Sequence, residues 1–369
     1  MKIDDKTSHN SPSLRFPEFT GEWEKCKIED ITDAVSSGKS KSHFSNGEYN
    51  LYGSTGIIGR TDKALYDGKL VLVARVGANA GFLQIINEPC GITDNTLILK
   101  PKGIDAFYLY YFLQHFNLNR LIFGSGQPLI TGGMLKKVKV SLGTISEQSK
   151  IVKFLSLLDE RIAVQNRLIE DLKKFKCAIV EKLYSEIQGK EYSYRQLFEI
   201  INERNSRLEY SNVLSASQEK GMVNREDLNL DIKFELSNIN TYKIVREGDY
   251  VIHLRSFQGG FAFSNMVGVC SPAYTIMRPK KLLEYGYLSY YFTSRKFIKS
   301  LIIVTYGIRD GRSINVDEWL DMKNIIPSKE QQQHILRTIR GFENKIEVEE
   351  MYASCLSKQK QYLLRQMFI

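Results

Sequence analysis

Gly38-Lys39-Ser40 has the residues that close a phosphate-gripping loop, in which backbone N–H groups wrap phosphate oxygens and the lysine meets their charge. The wrap needs a first glycine five positions earlier, where this chain has Asp33, so ATP binding there is not expected. Phe123-Gly124-Ser125-Gly126 and Phe257-Gln258-Gly259-Gly260 are similar to glycine-rich methyl-donor loops. No N-P-P-[YF] or D-P-P-[YF] tetrapeptide accompanies them, and Asn87-Glu88-Pro89-Cys90 is not one. A nucleophile elbow G-x-S-x-G, a zinc motif H-E-x-x-H and a carboxylate cluster are all lacking. Cys26, Cys90, Cys177, Cys270 and Cys355 are scattered, odd in number and free of C-x-x-C, and the five His form no pair at helical spacing. Neither a disulfide framework nor structural zinc is expected, and a reducing cytosol is the natural setting. The chain reads as non-catalytic, with no cofactor or metal of its own.

Another chemistry is better represented. Polar and basic residues recur in glycine-flanked loops between short apolar strands, where arginine can grip guanine, asparagine or glutamine adenine, and lysine phosphate. The candidates for contact with DNA in the first half are Lys39, Lys41, His43, Ser54, Thr55, Arg60, Arg75, Asn79, Ser125 and Gln127. In the second half they are Ser217, Gln218, Arg255, Ser256, Gln258, Tyr306, Arg309 and Arg312. Each has a structural alternative as a solvated turn or an arginine paired within its own domain. Arg75, Arg255, Arg309 and Arg312 carry the most weight.

The elements that position these residues come from an internal repeat at a shift of about 180. Asp67-Gly68-Lys69-Leu70-Val71 matches Glu247-Gly248-Asp249-Tyr250-Val251, and Arg75 falls opposite Arg255. Cys90 falls opposite Cys270, Lys100-Pro101-Lys102 opposite Arg278-Pro279-Lys280, and Tyr110-Tyr111-Phe112 opposite Tyr290-Tyr291-Phe292. The repeat continues into two heptad seams. One runs Ile151, Leu155, Leu158, Ile162, Gln165, Ile169, Leu172, Lys176, Ile179, Leu183. The other runs Ile335, Ile339, Phe342, Ile346, Glu349, Ala353, Leu356, Lys360, Leu363, Met367, each member 184 positions after its counterpart. The four-three spacing predicts two long helices that pair as an antiparallel coiled coil, with polar steps at matched positions that fix register. Thr144-x-x-Glu147 and Ser328-x-x-Gln331 fit capping boxes at their starts.

The expected organisation is α+β: a recognition domain over 1–145, a helical region over 146–187, a second recognition domain over 188–327 and a helical region over 328–369. The chain has 369 residues, 43% of them hydrophobic and 25% charged, with a net charge of +9. That composition belongs to globular, multidomain protein. No apolar run approaches the ~20 residues of a membrane helix, and the first residues lack the apolar stretch of a signal peptide. The basic surplus is small in each of the four segments, which fits two modest contacts with a polyanion better than one basic tail. A seam of roughly 33 residues is about 50 Å long at 1.5 Å per residue, about fifteen base pairs of DNA at roughly 3.4 Å each. The helix pair would act as a ruler between two unlike readers.

The order of module, E-Q-led helix, module, E-Q-led helix resembles the specificity subunit of type I restriction-modification enzymes. The resemblance rests on Leu14-Arg15-Phe16-Pro17-Glu18-Phe19 with Gly21-Glu22-Trp23-Glu24, on Tyr52-Gly53-Ser54-Thr55-Gly56-Ile57-Ile58-Gly59, on the Glu147-Gln148 and Glu330-Gln331 helix openings, and on the ending Leu363-Leu364-Arg365-Gln366-Met367-Phe368. It spans nearly the whole chain. It implies two target-recognition domains that each bind one half of a bipartite DNA site, and helices that set the gap and dock two modification subunits. S-adenosylmethionine and ATP would then sit on the modification and restriction subunits. Two other readings remain at this level: a self-contained methyltransferase or nuclease with diverged motifs, and a coiled-coil adaptor that binds no DNA.

Overall fold

The computed structural model describes residues 10–41, 47–122, 128–217, 220–228, 236–253, 260–306 and 313–369. The chain forms two compact units, Met1–Arg167 with Glu350–Ile369, and Leu168–Glu349.

In the first unit, strands β1 (Thr32–Ser37), β2 (Lys69–Ala74), β3 (Leu83–Asn87) and β4 (Thr96–Pro101) form an antiparallel sheet in the order β1-β4-β2-β3. Strand β2 reads as an unbroken apolar run because both its faces are covered. Val71 and Val73 pack with Tyr108, Leu109 and Phe112 of helix α1 (Ala106–Phe116), while Leu70 and Leu72 meet Ile86, Cys90, Ile92 and Ile98. A hairpin of Tyr49–Gly53 and Gly56–Thr61 covers this second face, with Tyr49–Gly53 paired in parallel to Cys90–Ile92. Helix α1 starts where the Asp105 carboxylate accepts from Phe107 N at 2.7 Å and ends at Asn117, whose φ of 56° is left-handed.

The second unit repeats the plan. Strands β5 (Phe198–Ile201), β6 (Tyr250–Ile252), β7 (Phe261–Phe263) and β8 (Thr275–Pro279) follow the same order, β5-β8-β6-β7. Leu214–Ser217 and Gly221–Asn224 form the corresponding hairpin, entered through a parallel bridge between Val213 and Val269. Small contacts recur as well. Lys102 N donates to Ile31 O, and Lys280 N to Leu197 O, both at 2.8 Å. Gly68 and Gly248 turn with φ of +92° and +90°, a conformation that a Cβ makes costly.

The repeat slips by one residue inside the sheet. Tyr250 and Ile252 face the aromatic core, as Val71 and Val73 do, whereas Val251 faces Cys270, as Leu72 faces Cys90. Tyr250 therefore corresponds to Val71 and not, as the sequence match suggests, to Leu70. A one-residue shift exchanges the faces of a strand, so pairing decides what a string comparison cannot. His253 N donates to Gly260 O as Ala74 N donates to Phe82 O, which makes His253 the counterpart of Ala74. Arg255 lies outside the described residues.

Two long helices are present, α2 (Ile145–Ser185, 41 residues) and α3 (Lys329–Met367, 39 residues). Every seam position expected on them is buried or half-buried. The first unit contains an antiparallel stretch in which Ile151 and Leu155 pack with Leu363, Leu364, Met367 and Phe368. The second contains another, with Val180 and Tyr184 beside Ile335, Leu336 and Ile339.

The polar seam residues are specific. Lys360 pairs with Asp159 at 2.6 Å, and Asp159 also accepts from Tyr111 OH at 2.9 Å. Lys176 pairs with Glu343 at 3.2 Å, and Glu343 accepts from Tyr290 OH at 2.6 Å. Lysine, carboxylate and tyrosine thus recur, the lysines and the carboxylates 184 positions apart. Burial first, and then the neighbouring carboxylate, raise the Tyr290 hydroxyl above its ordinary range.

At the helix starts, Thr144 Oγ1 accepts from Glu147 N at 3.3 Å and Ser328 Oγ from Gln331 N at 3.4 Å. The Glu147 carboxylate is engaged elsewhere. Buried, it accepts from Arg15 Nε at 2.6 Å, Arg15 Nη2 at 2.8 Å and Trp23 Nε1 at 3.1 Å. The glutamines also correct the sequence match by one place. Gln148 Nε2 donates to Gly143 O at 2.9 Å and Gln332 Nε2 to Pro327 O at 3.0 Å, so Gln148 corresponds to Gln332, while Glu330 and Gln331 are exposed.

Candidate nucleic-acid interface

One end of the first sheet gathers loops. Because β4 runs antiparallel to both β1 and β2, the end of β1, the start of β4 and the end of β2 meet there. Asn95 links them through its carbonyl oxygen, which accepts from Arg75 N at 3.0 Å and from Ser54 Oγ at 3.4 Å. Gln84 reaches from β3 and donates through Nε2 to Gly53 O at 3.0 Å and Ser54 O at 3.1 Å. The hairpin tip is thereby clamped onto the sheet. Beyond Arg75, the turn Gly77–Asn79 is tied back by Gly77 N to Pro128 O at 3.0 Å and by Phe82 N to Asn79 O at 3.0 Å.

Ser54, Thr55, Arg75 and Asn79 are thus brought to one edge, Thr55 and Asn79 exposed. Arg75 is half-buried, and its Nε is enclosed without a hydrogen-bond partner among the described residues. A guanidinium whose inner nitrogen is enclosed costs stability unless something completes it. Lys39 and Lys41 are exposed on the segment leaving the end of β1, where Ser40 N donates to Ile92 O at 2.9 Å. Gly38 is glycine for packing: a Cβ there would lie 2.3 Å from both the Ile92 and Thr93 carbonyl oxygens. The phosphate-loop likeness therefore has a structural cause.

Arg60 lies apart from this edge. It pairs across the hairpin with Asn50, whose Nδ2 donates to Glu88 at 2.8 Å, as does Tyr52 OH at 2.6 Å. Those two bonds, with a smaller contribution from the Arg60 charge, hold the Glu88 carboxyl below its usual value. Tyr52 is pushed up to about 12, by burial first and then by Glu88. In the second unit, Ser217 closes the corresponding hairpin strand, and its Oγ accepts from Lys220 N at 3.3 Å. Tyr306 lies in a short strand paired to Ser313. His43, Ser125, Gln127, Gln218, Arg255, Ser256, Gln258, Arg309 and Arg312 lie outside the described residues.

The edge offers hydroxyls, amides and guanidinium on clamped loops, the groups that bond phosphates and base edges. Burial pushes the Cys90 thiol up to about 11 and Cys270 to about 12, far from thiolate chemistry. Among the described residues no three His, Cys, Asp or Glu side chains gather to hold a metal ion. Sequence reasoning missed Gln84 and Asn95, which have no motif and act only through pairing. It also missed His253, at the end of β6, where burial lowers the imidazole pKa and Nε2 is enclosed without a partner among the described residues.

Comparison with known proteins bears on this arrangement. Residues 20–174 match the type I restriction modification DNA specificity domain. The type I restriction enzyme MjaVIII specificity subunit of Methanocaldococcus jannaschii is 24% identical over 330 residues, 80% of this chain and 77% of that protein. Over these spans the chain is similar to type I specificity subunits. The S subunit of the type I restriction-modification system from M. genitalium shares the fold, with a TM-score of 0.56 at 15% identity over 97% of this chain and 99% of that one. A chain from a structure concerned with complex assembly and conformational transition of the type I R-M system aligns with a TM-score of 0.60 at 12% identity over 94% and 97%.

Several specificity-subunit motifs meet in one place. Leu14 N donates to Gln366 O at 2.9 Å, Arg15 and Trp23 hold Glu147, and the Phe368 ring lies 5.3 Å from that of Tyr108. These strings maintain the first unit's core. Tyr52–Gly59, by contrast, is the hairpin at the edge where the loops gather.

Proposed function

We propose that this chain is the non-catalytic DNA-reading subunit of a type I restriction-modification complex. Each unit reads one half of a bipartite, asymmetric site in double-stranded DNA, and the long helices set the gap. The reading rests on one observation: the same sheet, with the same clamped or bridged hairpin, occurs twice and carries different residues at its edges. A repeated frame with unlike tips is what an asymmetric two-part site requires.

Two modification subunits would dock on the helices, with restriction subunits joining that core. S-adenosylmethionine and ATP would belong to those partners, and the assembly would work in the cytoplasm. Phe154, Leu157 and Val164 in the first unit, and Leu168 and Phe175 in the second, are exposed on α2 at near-heptad spacing, which supports a helical partner there. No helix among the described residues is long and apolar enough to cross a membrane.

The test is a module exchange. Replacing residues 1–145 with the corresponding module of another specificity subunit should change one half of the methylated site in cellular DNA and leave the other half unchanged. A change in both halves would refute independent reading. Methyl transfer to DNA by the purified chain alone would refute a non-catalytic role.

A further inference from the structure

At the reading edge of the first unit, three apolar side chains face outward beside the polar ones. The bond from Ala74 N to Phe82 O, at 2.9 Å, extends the β2–β3 ladder one pair beyond Val73 and Leu83. Side chains alternate along a strand, so Phe82 shares a face with Gln84 and Ile86. Ile86 lies in the cluster beneath the hairpin, and Gln84 clamps Gly53 and Ser54. Phe82 therefore stands about 6.7 Å beyond Gln84 along the strand, on the hairpin side, and is 48% exposed. Ile57 and Ile58 flank the same tip at 56% and 47% exposure. Ile58 leans over Gly53, where its Cγ2 would lie 2.8 Å from a Cβ.

All three lie outside the core clusters and the partly buried residues packed on them. Phe82 is also not part of the repeat. The counterpart of Phe82 is Gly260, from the matching bond of His253, and that of Gln84 is Ala262, which pairs with Val251 as Gln84 pairs with Leu72. What both units share maintains the frame; what only one unit shows at its edge is free to discriminate.

We propose that Phe82, flanked by Ile57 and Ile58, reads thymine, by enclosing the 5-methyl groups it presents in the major groove between the Ser54 and Thr55 hydroxyls and the sheet end. That methyl is the apolar group on a major-groove base edge, and it is what an apolar patch set among hydroxyl donors can distinguish. This inference rests on the DNA-reading function proposed above.

The probe is a duplex carrying the methylated site mapped from cells, made with thymidine or with deoxyuridine throughout the half-site assigned to the first unit. The full-length chain should bind the deoxyuridine duplex about fourfold more weakly for each methyl enclosed, the equivalent of ~0.8 kcal/mol per buried carbon. Phe82→Ala should bind both duplexes alike, and Ile57→Ser should narrow the difference. Both residues are half exposed, and unchanged thermal unfolding of the variants would exclude loss of fold. Equal binding of the two duplexes by the unaltered chain, with specific binding intact, would overturn thymine reading and leave the DNA-reading function standing. A half-site without thymine would overturn it equally. Failure to prefer the mapped site over unrelated DNA would sink both.

Discussion

Glu147 shows how one side chain can organise a region. Its buried carboxylate collects Arg15 and Trp23, which anchors the segment before the first sheet to the start of α2. Glu147→Gln keeps the shape but removes the charge that Arg15 and Trp23 share, and should cost about 1–3 kcal/mol, measured by urea unfolding. His115 makes a pH prediction. Its ring stacks on Phe368 at 5.9 Å, and burial, more than a backbone bond to Leu364 restores, lowers its pKa. A depressed folded-state pKa means that the unfolded chain takes the proton more readily. Stability present above the ordinary value of about 6.5 should be lost as pH falls through the lower folded one. His115→Phe should flatten unfolding free energy between about pH 7 and 5; an unchanged slope there would assign the dependence to other groups. At the reading edge, Arg75→Ala should weaken specific binding about tenfold, within the ~1–3 kcal/mol of a good base contact, as measured by competition against unrelated duplex.

At the scale of elements, the matched lysines explain why two polar residues interrupt apolar seams. Lys360 with Asp159 and Tyr111, and Lys176 with Glu343 and Tyr290, tie each stretch of helix pair to the aromatic helix beside it. A seam slipped by one heptad would leave each charge facing apolar side chains. Lys360→Met should lower the melting temperature, whereas exposed Lys358→Met should not. The exchange Lys360→Asp with Asp159→Lys should recover part of the loss if the pairing is direct. Gly341 is the opposite case, a glycine inside α3 whose Cβ would meet nothing within 4 Å. Gly341→Ala should stabilise the chain by about 0.5–1 kcal/mol, read as a higher melting temperature with the methylated site unchanged.

At the scale of the whole molecule, the proposed function depends on two readers and the spacing between them. Inserting seven residues into α2 or α3 keeps each seam in phase and should alter the gap of the methylated site or abolish assembly. Full activity with an unaltered gap would refute the ruler. The comparison with unlike halves also explains why charge alone was a weak guide: a net +9 spread over four segments marks no face, because lysines and arginines are placed by loops that meet only after folding.

The sequence by itself determined the architecture. Apolar residues at four-three spacing force long paired helices, and short apolar runs between glycine turns force strands, since each pattern buries its apolar side chains in one way only. The repeat was legible for the same reason, at Gly68 and Gly248 and along both seams. Only the tertiary structure decided the register and the site. It moved the match by one place at Tyr250 and at Gln332, because faces and hydrogen bonds follow pairing and not letters. It also brought Ser54, Arg75, Asn79, Gln84 and Asn95 to one edge from strands and turns up to forty-odd positions apart. Contacts of that kind leave no spacing in a sequence, since the chain between them is free to vary once the sheet order is set.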